Sequence, residues 1–432
     1  MTLDITTPPQ TTQVSYSGRK APLLKLALWT GVLTLLTLGF YRFWARTRIR
    51  KYFWSAITPD GTPMEYNGTG LEKFLGFLIA VAVLAVYLGV FQLLLLFFGY
   101  SLFTQAETFQ GAMLQNLLLY GAALATLPLV YYAQYRARRY VLSRTRWRGI
   151  RFGATPAAWG YVKLGLKNVF VTVITLGILL PRQTFNMEKY RVDRSYFGNA
   201  QFHQGGDWRM LRPAMKQLYI AMAIIAASVL VFLSKGDLNF EGIENGELDG
   251  FGPILFGGIL LQLGLTWFYV GLAIYNVASW RILANEKTLG DTISFTSKVD
   301  TADIIMAYIF GGMLAFFVAL LGGAIIGFGA GFLIAILPVS EWFGGALVGI
   351  DPDLADGELV GVFGGMFFGY LGFFILFGAI ATVSITQQII RNFAGTITIH
   401  NPDALNAITQ RAGDDFVEAD GFADALDVGA AF

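Results

Sequence analysis

The amino-acid sequence predicts an all-α polytopic membrane protein with six transmembrane helices in three hairpins, two re-entrant or interfacial half-helices and short cytoplasmic β-hairpins. Three observations predict it. Hydrophobic residues make up 55% of the 432 positions and charged residues 14%, with a mean hydropathy of +0.55; a soluble domain carries about 25% charged residues. Six apolar stretches, at about 74–98, 113–133, 214–233, 253–275, 305–337 and 361–389, reach the roughly 20 residues that cross a bilayer core. Of 31 lysines and arginines, all but Lys235 lie outside the loops Tyr100–Ala112, Ser234–Gly252 and Pro338–Val360, which join these stretches in pairs. Those loops are acidic, so the positive-inside rule places them outside and both termini in the cytoplasm.

Taken in order, residues 1–12 read as a disordered tail, since no basic region followed by an apolar run marks a cleavable signal. A single membrane domain follows over residues 13–400, and 401–432 form an acidic cytoplasmic tail. Leu23–Leu38 and Val169–Leu180 are apolar but short, with basic residues on both sides. Had both crossed fully, the segment holding Lys189, Arg191 and Arg194 would lie outside, against the charge rule. Half-insertion resolves the conflict, with eight full spans as the alternative. Each stretch ends in Thr-Leu-Gly, at Thr37–Gly39 and Thr175–Gly177, where glycine can turn the chain back.

Basic segments after each helix resemble one another and read as short strands. Asp60-Gly61 and Gly290-Asp291 are turn chemistry. Hairpins this short are marginal alone and are expected to pair into one sheet beneath the membrane. The longer unit recurs at about 13–140 and 149–283, with a reduced third copy at 291–400.

The run TLGFYRFWARTRIRKYFWSAITPDGTPMEYNGTG, with YYAQYRARRYVLSRTRWRGIRFG and GFADALDVGAAF further on, resembles the DUF898 (YjgN-like) family of bacterial inner-membrane proteins. The resemblance covers most of residues 13–432 and implies a multi-pass protein of the bacterial inner membrane. It implies no activity and no catalytic residues.

Candidate functional residues follow from chemistry and spacing. Gly323, Gly327 and Gly331, then Gly361, Gly365 and Gly369, recur every four residues and suit close helix packing, a gate or a homo-oligomer contact. Gln262 and Asn276, the main polar side chains of the second pair, are candidates to line a conduit. Arg42, Arg46, Arg48, Arg50 and Lys51, with Arg136, Arg138 and Arg139, interleave with aromatic residues and suit anionic phospholipid headgroups. The acidic tail suits docking on the protein's own basic underside, or a membrane-protein partner. The sequence has no cysteine and two histidines almost 200 residues apart, His203 and His400, which argues against a thiolate or histidine-cluster metal site. No cofactor, nucleic-acid or enzyme motif stands out. The expected role is a passive conduit or the handling of lipid or a small hydrophobic molecule, with a membrane scaffold or regulator acting through its cytoplasmic face as the alternative.

Overall fold

The computed structural model describes residues 11–97, 109–234, 251–336 and 357–411. Six helical stretches among them are long and apolar enough to cross a bilayer: Gly70–Phe97, Gln110–Ser143, Trp208–Ser234, Ile254–Asn285, Thr301–Ile336 and Gly361–Gly395. Few of their side chains are buried inside the protein, so their apolar surfaces face outward and call for lipid rather than water.

The helices are α1 (Lys20–Leu36), α2 (Arg42–Ala56), α3 (Gly70–Phe97), α4 (Phe109–Ser143), α5 (Ala158–Ile174), α6 (Leu180–Val192), α7 (Lys216–Ser234), α8 (Phe251–Asn285), α9 (Thr301–Ile336), α10 (Gly357–Ala381) and α11 (Gln387–Gly395). A five-residue π segment, Thr382–Thr386, joins the last two. Helix α9 runs unbroken past Gly322-Gly323, and its first turns pack Ile304 and Ala307 against Val277, Val299 and Ile389. A capping box starts α3: the Glu72 amide donates to the Thr69 hydroxyl at 3.3 Å, and the Thr69 amide donates to the Glu72 carboxylate at 3.4 Å. Helices α7 and α8 pack closely, with the buried Ser228 hydroxyl donating to the Gly257 carbonyl at 2.8 Å. The α3–α4 pair is looser and is joined through the Tyr87 hydroxyl and the Ala125 carbonyl.

Beneath the helices the described residues form eleven strands: β1 (Thr11–Gln13), β2 (Ser15–Tyr16), β3 (Ile57–Thr58), β4 (Met64–Tyr66), β5 (Thr145–Trp147), β6 (Ile150–Ala154), β7 (Ser195–Phe197), β8 (Ala200–Gln204), β9 (Lys287–Leu289), β10 (Ile293–Ser297) and β11 (Ile397–His400). Nine form one antiparallel sheet in the order β1-β11-β10-β9-β8-β7-β6-β5-β4, and β2 pairs with β3. Only Val14 separates β1 from β2, and the turn Pro59–Gly61 lies between β3 and β4, so the small ribbon bridges the two edges of the large sheet. Thr12 of β1 reaches Asp60 of that turn at 3.4 Å. The sheet thereby curls into a small barrel whose edges, β1 and β4, are bridged by the β2–β3 ribbon and not paired to each other. Its core gathers Val14, Trp147, Phe197, Leu289, Ile293 and Ile399 from all around the ring.

The expected hairpins thus merge into one sheet, with one correction. The segment around Asp60-Gly61 is not a hairpin, because β3 pairs with β2 and β4 with β5. Two residues of β3 exchange too few bonds to hold a hairpin, whereas pairing outward on both sides ties the ring together. The N-terminal boundary also moves: the first strand begins at Thr11, opposite His400 of β11.

Residues 401–411, expected to belong to an acidic tail, close the end of the barrel. Leu405 and Ile408 are buried in its core. The Arg148 guanidinium donates to Asn406 at 2.9 Å, and the Arg151 amide donates to Gln410 at 2.9 Å. Apolar contacts and hydrogen bonds thus hold this segment on the barrel; the carboxylates from Asp414 onward lie outside the described residues.

Candidate functional site

The site begins at a turn. After α1, the Gly39 amide donates to the Thr34 carbonyl at 2.7 Å and the Leu38 amide to the Leu35 carbonyl at 2.9 Å, a Schellman closure. Leu38 occupies the left-handed position (φ 51°) that glycine usually takes, and Gly39 follows at φ 92°. The turn sends α2 back along α1 and leaves Leu36, Leu38 and Phe40 exposed at the tip, Leu38 at 90%.

Between this helix hairpin and α10 lies a crevice of about 590 Å³. Three helix faces line it: Ala27, Thr30 and Thr34 of α1, Arg42, Arg46 and Ile49 of α2, and Tyr370, Phe374 and Gly378 of α10, with Thr382 from the π segment. The spacing of 42, 46 and 49 keeps those side chains on one face of α2. Arg42 is exposed and Arg46 half-buried. The Thr30 and Thr34 hydroxyls bond the preceding helical turn, at 2.8 Å to the Leu26 carbonyl and 2.7 Å to the Thr30 carbonyl. The π segment is pinned by the Ser384 hydroxyl, which donates to the Gly311 carbonyl of α9 at 3.0 Å. Such segments often mark functional sites. Chemically, the crevice sets two guanidinium groups beside aromatic and aliphatic walls.

At Tyr370 the crevice meets a second, apolar groove of about 670 Å³ between α9 and α10. Its floor holds all six candidate glycines. Gly323, Gly327 and Gly331 face Gly369, Gly365 and Gly361 in antiparallel order; a Cβ on any of the first three would stand 2.8 Å from the facing glycine's carbonyl oxygen. Only glycine permits that approach.

The other basic candidates separate. Lys51 and Arg48 are exposed, Arg48 lying 5.6 Å from the Tyr41 ring. Arg50 packs over Trp54 and Tyr66, at 5.8 and 5.4 Å. Arg136 donates to the Tyr132 hydroxyl at 3.1 Å, and Arg139 to the Ala154 carbonyl of β6 at 3.1 Å. Arg138 is half-buried near Glu188, which pairs with Arg191 at 2.6 Å and Lys287 at 2.7 Å. Burial alone would raise the Glu188 carboxyl, but Lys287, Arg191 and Arg138 hold it well below the usual carboxylate range. Arg138 therefore belongs to a half-buried ion cluster and not to an open headgroup surface. Gln262 and Asn276 are exposed on α8 and line neither the crevice nor the groove. His203 and His400 sit on β8 and β11.

Thr30, Thr34, Tyr370 and Thr382 were not legible as site residues. The threonines on α1 stand one turn apart on one face, which is the signal that could have pointed to them.

Turning to known proteins, "Inner membrane protein YjgN" of Salmonella typhimurium is 23% identical over 150 residues, covering 34% of this chain and 33% of that protein. The chain thus spans about a third of the length of the curated relative it matches. No solved structure matches. The family model described as "Bacterial protein of unknown function (DUF898)" matches residues 11–424, from the first strand through the segment that closes the barrel, and the chain belongs to that family.

Proposed function

We propose that this is a multi-pass protein of the bacterial inner membrane that binds an anionic phospholipid of the cytoplasmic leaflet in the crevice between α1, α2 and α10. The observation that carries the reading is that Arg42 and Arg46 line an open, largely apolar three-helix crevice. The two guanidinium groups take the phosphate, and an acyl chain lies along Phe374 and Tyr370 into the glycine-floored groove. The α1–α2 and α5–α6 hairpins act as re-entrant elements, their exposed Leu38 and Leu176 tips set in hydrocarbon. The barrel and both termini lie in the cytoplasm, because the basic residues cluster at that end. Between Thr11 and Pro59 there are eight basic residues and no acidic one, which favours an anionic ligand. A conduit along Gln262 and Asn276 is set aside, as both side chains point outward.

Mass spectrometry of the protein extracted with its native lipid in polymer nanodiscs tests this. We expect a stoichiometric anionic phospholipid that is lost from the Arg42→Gln/Arg46→Gln variant. Equal retention by that variant, or no enriched phospholipid, overturns the reading.

A further inference from the structure

The barrel interior is not filled. A cavity of about 350 Å³ lies inside it, lined only by apolar and aromatic side chains, among them Phe152, Phe197, Phe202 and Phe295. The two indoles in its wall turn their N–H groups elsewhere: Trp54 donates to the Thr145 hydroxyl at 3.0 Å and Trp147 to the Thr62 carbonyl at 3.1 Å. No hydrogen-bonding group is left for a polar guest. Trp54 of α2 and Ile390 and Phe393 of α11 line the cavity from the helices, and Leu405 lines it from the segment after β11.

Ring size explains the void. About eight strands enclose a space that side chains just fill, and wider rings leave room for a ligand. Here nine strands and a bridging pair form the ring, and phenylalanine and tryptophan already occupy inward positions, yet space remains. Water does not settle in so apolar a space, and an empty one forfeits the dispersion contacts of its walls. We infer that the barrel binds a single hydrocarbon chain, supplied by a free fatty acid or by the tail of a membrane lipid. The chain enters from the helix side beside Trp54, over whose ring Arg50 lies at 5.8 Å, so that an anionic end stays outside near a cation. This site is separate from the α1–α2–α10 crevice and does not rest on it.

Photolabelling of the full chain in nanodiscs decides it, using diazirine-tailed palmitate and, in parallel, a diazirine-tailed phosphatidylglycerol. We expect adducts on peptides carrying Phe152, Phe202 or Phe295, removed by excess unlabelled competitor. Labelling by palmitate alone assigns a free fatty acid, and labelling by the phospholipid assigns a lipid tail; either supports the site. Filling the cavity with Ala394→Phe should lower barrel labelling at least tenfold, and Met64→Trp is the second variant should the first fail to fold. Arg42→Gln/Arg46→Gln should leave barrel labelling unchanged, which separates this inference from the crevice reading. Adducts confined to the membrane-spanning helices with both probes would overturn it. So would filled variants that melt higher with no change in barrel labelling, since the void would then be natively empty.

Discussion

The two helix hairpins, α1–α2 and α5–α6, share one turn and differ in what stands behind it. In both, a leucine takes the left-handed position, Leu38 at φ 51° and Leu176 at φ 47°, and a glycine follows. In both, the glycine amide donates five residues back at 2.7 Å. Counting from that glycine, Arg42 and Arg46 of the first hairpin correspond to Leu180 and Thr184 of the second. Leu180 packs against the cluster of Met215, Leu218 and Tyr275, and Thr184 accepts a hydrogen bond from Tyr275 at 2.7 Å. The second hairpin is thus built into the protein, and the corresponding place on the first is an open, basic crevice. A repeated turn carries an open, basic crevice in one copy and a packing contact in the other, and the side chains at two positions make the difference.

That contrast can be broken by mutation. The largest effect is expected in the second hairpin at Glu188. Glu188→Gln leaves Arg138, Arg191 and Lys287 without their shared anion and should cost about 4 kcal/mol, read as a fall in thermal midpoint in detergent. The pH dependence has a definite sign. The folded carboxyl titrates below its unfolded value, so its contribution is complete above the ordinary carboxylate range and is lost only as pH falls through the lower folded value. Acidification from neutrality to about pH 5 should therefore leave the gap between wild type and Glu188→Gln unchanged, and further acidification should narrow it.

Moving the chemistry across is next in size. Leu180→Arg places a cation in an apolar cluster and should cost about 2 kcal/mol by the same measurement. Tyr275→Phe removes the bond to Thr184 and should cost about 1 kcal/mol. The reciprocal change in the first hairpin, Arg42→Leu/Arg46→Thr, should alter stability by no more than about 0.5 kcal/mol while abolishing phospholipid retention. A large stability loss in that variant would mean the two hairpins are equivalent structural parts.

Much of this architecture was legible. The six spans follow from apolar runs whose length matches the bilayer, and the Thr-Leu-Gly turns were visible as a repeated tripeptide. The barrel was legible only as a set of short strands. Its pairing joins Thr11 to His400 and Met64 to Trp147, partners separated by whole helix pairs, and strands of two to five residues carry too weak a pattern to reveal their neighbours. The site divided in the same way. Arg42 and Arg138 look alike as basic residues near a helix end, yet one lines a crevice and the other sits near a half-buried carboxylate.

The sequence by itself determined how many helices can cross the membrane and which end of the molecule is basic. Both are properties that each segment carries alone, since a bilayer rewards an apolar stretch and a flanking charge whatever stands beside them. Only the tertiary structure decided which arginines line a crevice, which glycines face each other and how eleven strands close around a cavity. Those outcomes depend on pairs of groups brought together from distant parts of the chain, and the energy of a buried ion, a backbone contact or a strand edge is set by what lies opposite.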